Sequence, residues 1–269
     1  METITLDITP AGVATVTLNR ADVHNAFNDA LIQTLNDTFL DLASREEVRV
    51  IILTGDGTSF SAGADLNWMK AAANYNHDEN VADASKLSTM LNTVNSSPKP
   101  VIGLINGAAF GGGVGLTAVC DMVVAVTSAK FCLSEVRLGL SPATISPFVI
   151  AKIGAGNARR YFLTAERFTA EQALKISLVH EVASDLEAAK DIAKAWCDAV
   201  IAGAPGAVAQ SKRLALDFAD RIISDDLRAD SASRIAKRRT SPEGREGVNA
   251  FLDKRAPNWI HTESEDNAE

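Results

Sequence analysis

Between Lys99 and Asp121 the chain runs for 21 residues without a charge, and six of its 17 glycines fall inside that run. By length alone such a segment could cross a bilayer. Pro100, Asn106 and the diluting Gly and Ala residues argue against it, because a spanning helix needs sustained apolarity. The run reads instead as a buried strand over residues 101–105, a glycine turn, and a short helix of small residues ending near Cys120. No membrane partner is expected. A strand without polar alternation has to be covered on both faces, as in a parallel sheet lying between other layers.

The flanking sequence repeats this grammar. Ile4, Leu6 and Ile8, a Pro10-Ala11-Gly12 turn, then Ala14, Val16 and Leu18 predict a β-hairpin with one buried face. Asn28 is placed to cap a helix whose apolar stripe is Leu31, Ile32, Leu35, Phe39, Leu42 and Ala43. Residues 48–54 form a β-branched run ended by Gly55-Asp56-Gly57, residues 81–96 a helix bounded by Pro98 and Pro100, and residues 122–126 a third buried strand. Strand–helix alternation of this kind predicts an α/β fold with parallel pairing. From about residue 155 the strand signals stop. Helices are expected at 158–164, 171–176, 186–201, 207–219 and 228–238, and a last one starts at Ser241-Pro242-Glu243, with proline at the first helical position. The expected division is a body over 1–200, a helical region over 201–257 and an acidic tail over 258–269.

Apolar residues make up 46% of the 269, enough for a sizeable core. With 26 basic and 34 acidic residues the net charge is −8, and Glu263, Glu265, Asp266 and Glu269 supply four of the negatives. No basic stripe offers a nucleic-acid footprint, so no nucleic-acid partner is expected. Cys120, Cys132 and Cys197 lack metal-ligand spacing; no metal is expected, and a reducing, cytoplasmic setting fits them, as does the absence of a secretory pattern in residues 1–20. His24, His77, His180 and His261 form no ligand or triad pattern. Gly111-Gly112-Gly113-Val114-Gly115 is neither a dinucleotide fingerprint nor a phosphate loop, since leucine follows and no Lys-Ser/Thr is present. It does place unpaired N–H groups between a strand and a helix. Phe60-Ser61-Ala62-Gly63-Ala64-Asp65-Leu66 is a second small-residue turn of that kind. Two such turns can form an oxyanion hole, or can simply let helix and strand pack closely.

Six segments, in order, resemble the signatures of the crotonase (enoyl-CoA hydratase/isomerase) superfamily over about residues 1–257. They are Asn19-Arg20 with Asn25-Ala26-Phe27-Asn28; the turn Phe60–Leu66; Asn106-Gly107-Ala108-Ala109-Phe110-Gly111-Gly112-Gly113 with Cys120-Asp121; Ser134-Glu135-Val136-Arg137-Leu138-Gly139-Leu140-Ser141-Pro142; residues 170–179, with Ser177 where glycine is usual; and Ala250-Phe251-Leu252-Asp253-Lys254-Arg255. The resemblance implies a spiral of stacked ββα units with a helical C-terminal region that assembles a homotrimer or hexamer. It implies an acyl-CoA thioester as substrate and no cofactor beyond the coenzyme A the substrate carries. The N–H groups of Ala64 and Gly112 would hold the thioester oxygen, and His24, Ala26, Phe27, Ala62, Asp65 and Leu66 would line the CoA path. Phe251 and Lys254 would reach a neighbouring subunit's CoA.

Two-carboxylate members of the family carry a glutamate at the position of Gly115 and a second at that of Glu135. Only the second is present here. Glu135 lies among apolar residues, which would raise its pKa toward useful acid–base range; the plainer reading pairs it with Arg137 or Arg159. Gly115 is expected to leave room beside the oxyanion turn for a branched or carboxylated acyl group. Pro142 and Thr144 fall in the segment expected to shape the acyl pocket, and Thr144 or Ser146 is a candidate to orient water. The form of residues 135–147 is similar to that of bacterial methylglutaconyl-CoA and isohexenylglutaconyl-CoA hydratases. The expected activity is hydration of a 2-enoyl-CoA, the alternatives being Δ3–Δ2 isomerisation with one glutamate, or a CoA-binding or assembly subunit without catalysis.

Overall fold

The computed structural model describes residues 2–260. The chain divides into two compact units, one up to Trp196 and one from Cys197.

The first unit begins with β1 (Ile4–Ile8) and β2 (Val13–Leu18), the predicted antiparallel hairpin. Its burial differs from expectation. Ala14, Val16 and Leu18 are buried, but of the β1 residues only Ile4 is, and Leu6 is 40% exposed because β1 is the outermost strand of its sheet. Next comes α1 (Asp29–Ser44), capped by the Asn28 side chain, which accepts from the Leu31 N–H, and burying Leu31, Ile32, Leu35, Phe39 and Leu42.

Three ββα steps follow. The first has β3 (Val50–Gly55), β4 (Ser59–Ser61), α2 (Leu66–Ala72) and α3 (His77–Ser96). In the second, β5 (Val101–Ile105) and β6 (Ala108–Phe110) lead into α4 (Gly112–Ala118). The third contains β7 (Met122–Val126), β8 (Lys130–Cys132), a 3-10 turn over Glu135–Leu138, and α5 (Ser146–Thr164). Each step sends one strand to each of two sheets: β3, β5 and β7 lie side by side in parallel, and so do β4, β6 and β8. All five residues of β5 are buried. The uncharged run is therefore two strands and a helix of seven residues, and among the described residues no single helix is long and apolar enough to cross a membrane.

Strands do not stop at residue 155. β9 (Phe168–Thr169) pairs with β8, α6 (Ala170–Lys175) follows, and β10 (Glu181–Ala183) closes the large sheet against β7. Two- and three-residue strands are too short to show a period. Phe168 pins β9 by packing on Phe131 and Tyr161, with ring centroids 5.4 and 4.2 Å away. The helix α5 also starts earlier than expected. Pro147 sits in its first turn, and a break at Gly154 (φ 75°, ψ 154°) hid the segment behind residues that read as punctuation. α7 (Leu186–Ala202) carries the chain across the division between units.

In the second unit, α8 (Pro205–Phe218), α9 (Asp225–Thr240) and α10 (Pro242–Leu252) are all helical. Arg238 pairs with Glu243, whose other oxygen accepts from the Gly206 N–H at 3.0 Å. Arg255 grips Glu246 through two bonds of 2.7 and 2.9 Å, which helps hold that carboxyl near a pKa of about 2. The acidic residues beyond 260 lie outside the described residues.

Ser177 follows α6 with φ 65°, a left-handed conformation that suits glycine. Ser177→Gly should raise stability by about 0.5–1 kcal/mol. Thermal unfolding would show it as a Tm increase of roughly 1–4 °C.

Candidate active site

Because β4, β6 and β8 run parallel, their carboxyl ends open on the same side, and each is followed by a turn that enters one cavity. Ala62, Gly63 and Ala64 come from the first turn, Gly111 and Gly112 from the second, and Ser134 and Glu135 from the third. The cavity has a volume of about 300 Å³.

The first two turns touch through their backbones. Gly63 has φ 87°, and a Cβ on it would lie 2.8 Å from the Phe110 carbonyl oxygen and 3.6 Å from the Gly112 nitrogen. A third segment straps the first turn in place. Phe27 N–H donates to the Gly63 carbonyl (2.6 Å), Asp65 N–H donates to the Phe27 carbonyl (2.8 Å), and Ala62 N–H donates to the His24 carbonyl (2.9 Å). The Phe27 ring covers Gly112, where an added Cβ would lie 2.8 Å from Cδ2. Between these bonds, the N–H groups of Ala64 and Gly112 find no acceptor among the described residues, and both residues line the cavity. Close packing and a pair of free donors are here the same construction.

Glu135 stands beside them. Its Oε1 is 3.2 Å from where a Cβ on Gly111 would be, and its Oε2 is buried without a hydrogen-bond partner among the described residues. Burial pushes its pKa above the usual 4.5, with only its own backbone N–H acting the other way. Neither Arg137 nor Arg159 pairs with it among the described residues, which removes the ion-pair reading. Two unpaired donors and one desolvated carboxyl face the same space. That set can stabilise charge on a thioester oxygen and move a proton at the neighbouring carbon.

Comparison with known proteins agrees with this chemistry. The enoyl-CoA hydratase/isomerase family model matches residues 9–262. The crystal structure of an enoyl-CoA hydratase from Shewanella pealeana superposes with a TM-score of 0.92 at 40% identity, covering 96% of each chain. Pseudomonas aeruginosa AtuE superposes equally well, with a TM-score of 0.92 at 33% identity, over 97% of this chain and 100% of that one. Enoyl-CoA hydratase AKT6-1 of Alternaria alternata is 38% identical over 208 residues, 76% of this chain and 66% of that protein. The chain belongs to the enoyl-CoA hydratase/isomerase family.

Within the family the chain departs from expectation at Gly115. No room opens there. A Cβ on Gly115 would lie 2.6 Å from Ile145 Cγ2 and 2.9 Å from Ile145 Cβ, and Gly115 is not among the cavity-lining residues. Ile145, 3% exposed, has taken the space in which a second carboxylate would begin. Sequence reasoning missed it because residues 115 and 145 are brought together only by α4 packing on α5.

The other expected positions separate into two groups. Phe27, Ala62, Pro142 and Thr144 line the cavity. His24, Ala26, Asp65 and Leu66 do not: His24 bonds to Ser59 Oγ through Nδ1 (3.1 Å), Ala26 is buried, Asp65 caps α2 by accepting from Asn67 N–H, and Leu66 is 74% exposed. Ser146 is also outside the lining, its hydroxyl donating to the Ala143 carbonyl at 2.8 Å. Phe251 and Lys254 belong to the second unit, where Phe251 is exposed. Trp68 and Met69 of α2 and Leu87 of α3 complete the apolar wall. The sequence reading did not single them out, because nothing in their helices marks which face turns inward.

Gly115→Ala should destabilise the protein by about 1–3 kcal/mol through overpacking. Combining it with Ile145→Ala should recover a large part of that loss. Denaturant melts of the two single variants and the double variant would show the non-additivity.

Proposed function

We propose that the chain is an enoyl-CoA hydratase that adds water across the 2,3 double bond of an acyl-CoA thioester. The observation that carries this reading is the placement of the half-buried Glu135 side chain, whose Oε2 has no partner among the described residues, beside the N–H groups of Ala64 and Gly112, which have no acceptor there either. In the forward direction the water oxygen bonds to Cβ and its proton passes to Glu135. The double-bond electrons move onto the thioester oxygen, where the two N–H groups stabilise the enolate. Collapse of the enolate takes the proton from Glu135 onto Cα. The carboxylate ends ionised, as it began. The Thr144 hydroxyl lines the same cavity and is proposed to orient the water. No cofactor is needed beyond the coenzyme A of the substrate.

For the acyl group we propose a branched, glutaconyl-type chain such as 3-methylglutaconyl-CoA. The form of residues 135–147 supports it, and the hydroxyls of Ser141 and Thr144 supply polar contacts for a distal carboxylate. A turnover screen over straight, branched and carboxylated enoyl-CoAs tests this part. One observation favours Δ3–Δ2 isomerisation as the second reading: among the described residues that line the cavity, Glu135 is the only ionisable one. A single acid suffices to take a proton from Cα of a 3-enoyl thioester and return it to Cγ.

Glu135→Gln should reduce hydration at least ~100-fold and stop exchange of the Cα proton with deuterated solvent. Since turnover starts from the carboxylate and burial raises its pKa, wild-type activity should fall on the acid side through a pKa above 4.5. Rapid exchange and double-bond migration, with no hydroxyacyl-CoA from any substrate, would establish the isomerase reading instead.

We also propose assembly as a trimer or a multiple of three through the helical region. The exposed Val248, Phe251 and Leu252 of α10 support a covered surface there. Light scattering coupled to size exclusion should give a mass of three or six subunits. A stable active monomer would contradict it.

A further inference from the structure

Behind the cavity wall lies an ion pair that the proposed reaction does not use. Arg20 follows the first hairpin and does not line the cavity, and neither does Asp65. The Arg20 guanidinium donates from one nitrogen to Asp65 Oδ2 at 2.9 Å and from another to the Ala26 carbonyl. Its side chain is 17% exposed and that of Asp65 8%. The backbone around Arg20 is fixed too: its N–H donates to Asn25 Oδ1 (2.9 Å), and its carbonyl accepts from the Asn25 N–H (2.8 Å). Asn25 is buried at φ 54° and donates its amide hydrogens to the carbonyls of Asp56 and Ser59.

The two acceptors of Arg20 flank the oxyanion turn. Ala26 precedes Phe27, whose N–H and carbonyl bond to Gly63 and Asp65. Asp65 follows Ala64 directly. One planar guanidinium therefore spans both strands of the parallel bridge between Phe27 and Ala64, and that bridge sets the direction of the Ala64 N–H. We propose that Arg20 is a positioning residue: through Asp65 and the Ala26 carbonyl it aims the Ala64 N–H at the developing enolate oxygen. The proposal rests on the reading of Ala64 and Gly112 as the oxyanion donors.

The test uses the full chain and acetoacetyl-CoA, whose enolate absorbs in the near ultraviolet, so the oxyanion site is read without turnover. Wild type, Arg20→Ala, Arg20→Lys and Asp65→Asn are compared for the enolate fraction of bound acetoacetyl-CoA, its Kd, and kcat and KM with an enoyl-CoA. Misaimed donors should lower kcat ~10–100-fold in Arg20→Ala and lower the enolate fraction in parallel. KM for the enoyl-CoA should stay within about two-fold, since only transition-state binding is lost, and the Kd of acetoacetyl-CoA should rise only by the share of its affinity that the enolate form carries. Arg20→Lys should recover part of the loss, because an ammonium meets these two acceptors less well than the planar fork. Arg20 and Asp65 also border a second recess with Asn28, Asn67 and Tyr75. If that recess holds ligand against Arg20, Kd and KM will rise while kcat and the enolate fraction stay, and the proposal is overturned. An unchanged enolate fraction and kcat in Arg20→Ala overturn it equally. Should Arg20→Ala not fold, Arg20→Lys and Asp65→Asn decide by the same pattern, and no change in either overturns it. Wild-type protein that binds acetoacetyl-CoA without enriching its enolate would refute the oxyanion reading itself, and the role of Arg20 with it.

Discussion

At the ends of β4 and β6, backbone lies directly against backbone. A side-chain carbon at Gly63 would sit 2.8 Å from the Phe110 carbonyl oxygen, and one at Gly113 would sit 2.5 Å from that of Ser61. Cβ atoms do not tolerate such distances, so the approach of the two turns depends on glycine at both places. Everything chemical in the cavity follows from that approach. It leaves two N–H groups facing one space without acceptors among the described residues, and it puts Gly111 close enough to the third turn for the Glu135 carboxyl to lie beside them. Donors fixed this way do not have to reorganise when charge develops, which is the main advantage a protein has over water at this step.

The strap from Arg20 to Phe27 makes the arrangement rigid from behind. Burial pushes the pKa of Asp65 up, but hydrogen bonds from Arg20 and from the N–H groups of Asn67 and Trp68 outweigh it and hold the carboxyl below its usual range. The same residue thus caps α2 and closes the loop that carries Ala64. Glu135 is the opposite case, a half-buried carboxyl whose only compensation is its own backbone N–H, so burial wins and its pKa rises. One acid serves structure and stays ionised; the other is the one we propose for proton transfer.

Much of this was legible in the sequence wherever a local pattern carries the information. The Asn28 cap and apolar stripe of α1, the buried runs of β3, β5 and β7, and the two glycine turns are local, and their signals are strong. Glu135 was legible through its motif and its apolar neighbours. What could not be read depends on contacts between distant segments. β9 and β10 are too short for periodicity and exist because β8 and β7 offer them edges. Gly115 looked like open space because a missing side chain says nothing about what fills the gap, and Ile145 fills it. Arg20 was visible as part of a motif, but its use required the pairing of residues 26 and 65.

The site takes its groups from residues near 27, 63, 111 and 135, four stretches that meet only after three ββα steps have stacked. Parallel strands cannot pair through short hairpins; each waits for a long crossover, and such contacts form late because loop closure precedes any gain from them. A refolding chain can therefore regain its helices, and with them its circular dichroism, well before the donors of Ala64 and Gly112 come into line. The proposed oxyanion pair thus reports on the complete first unit rather than on any one element.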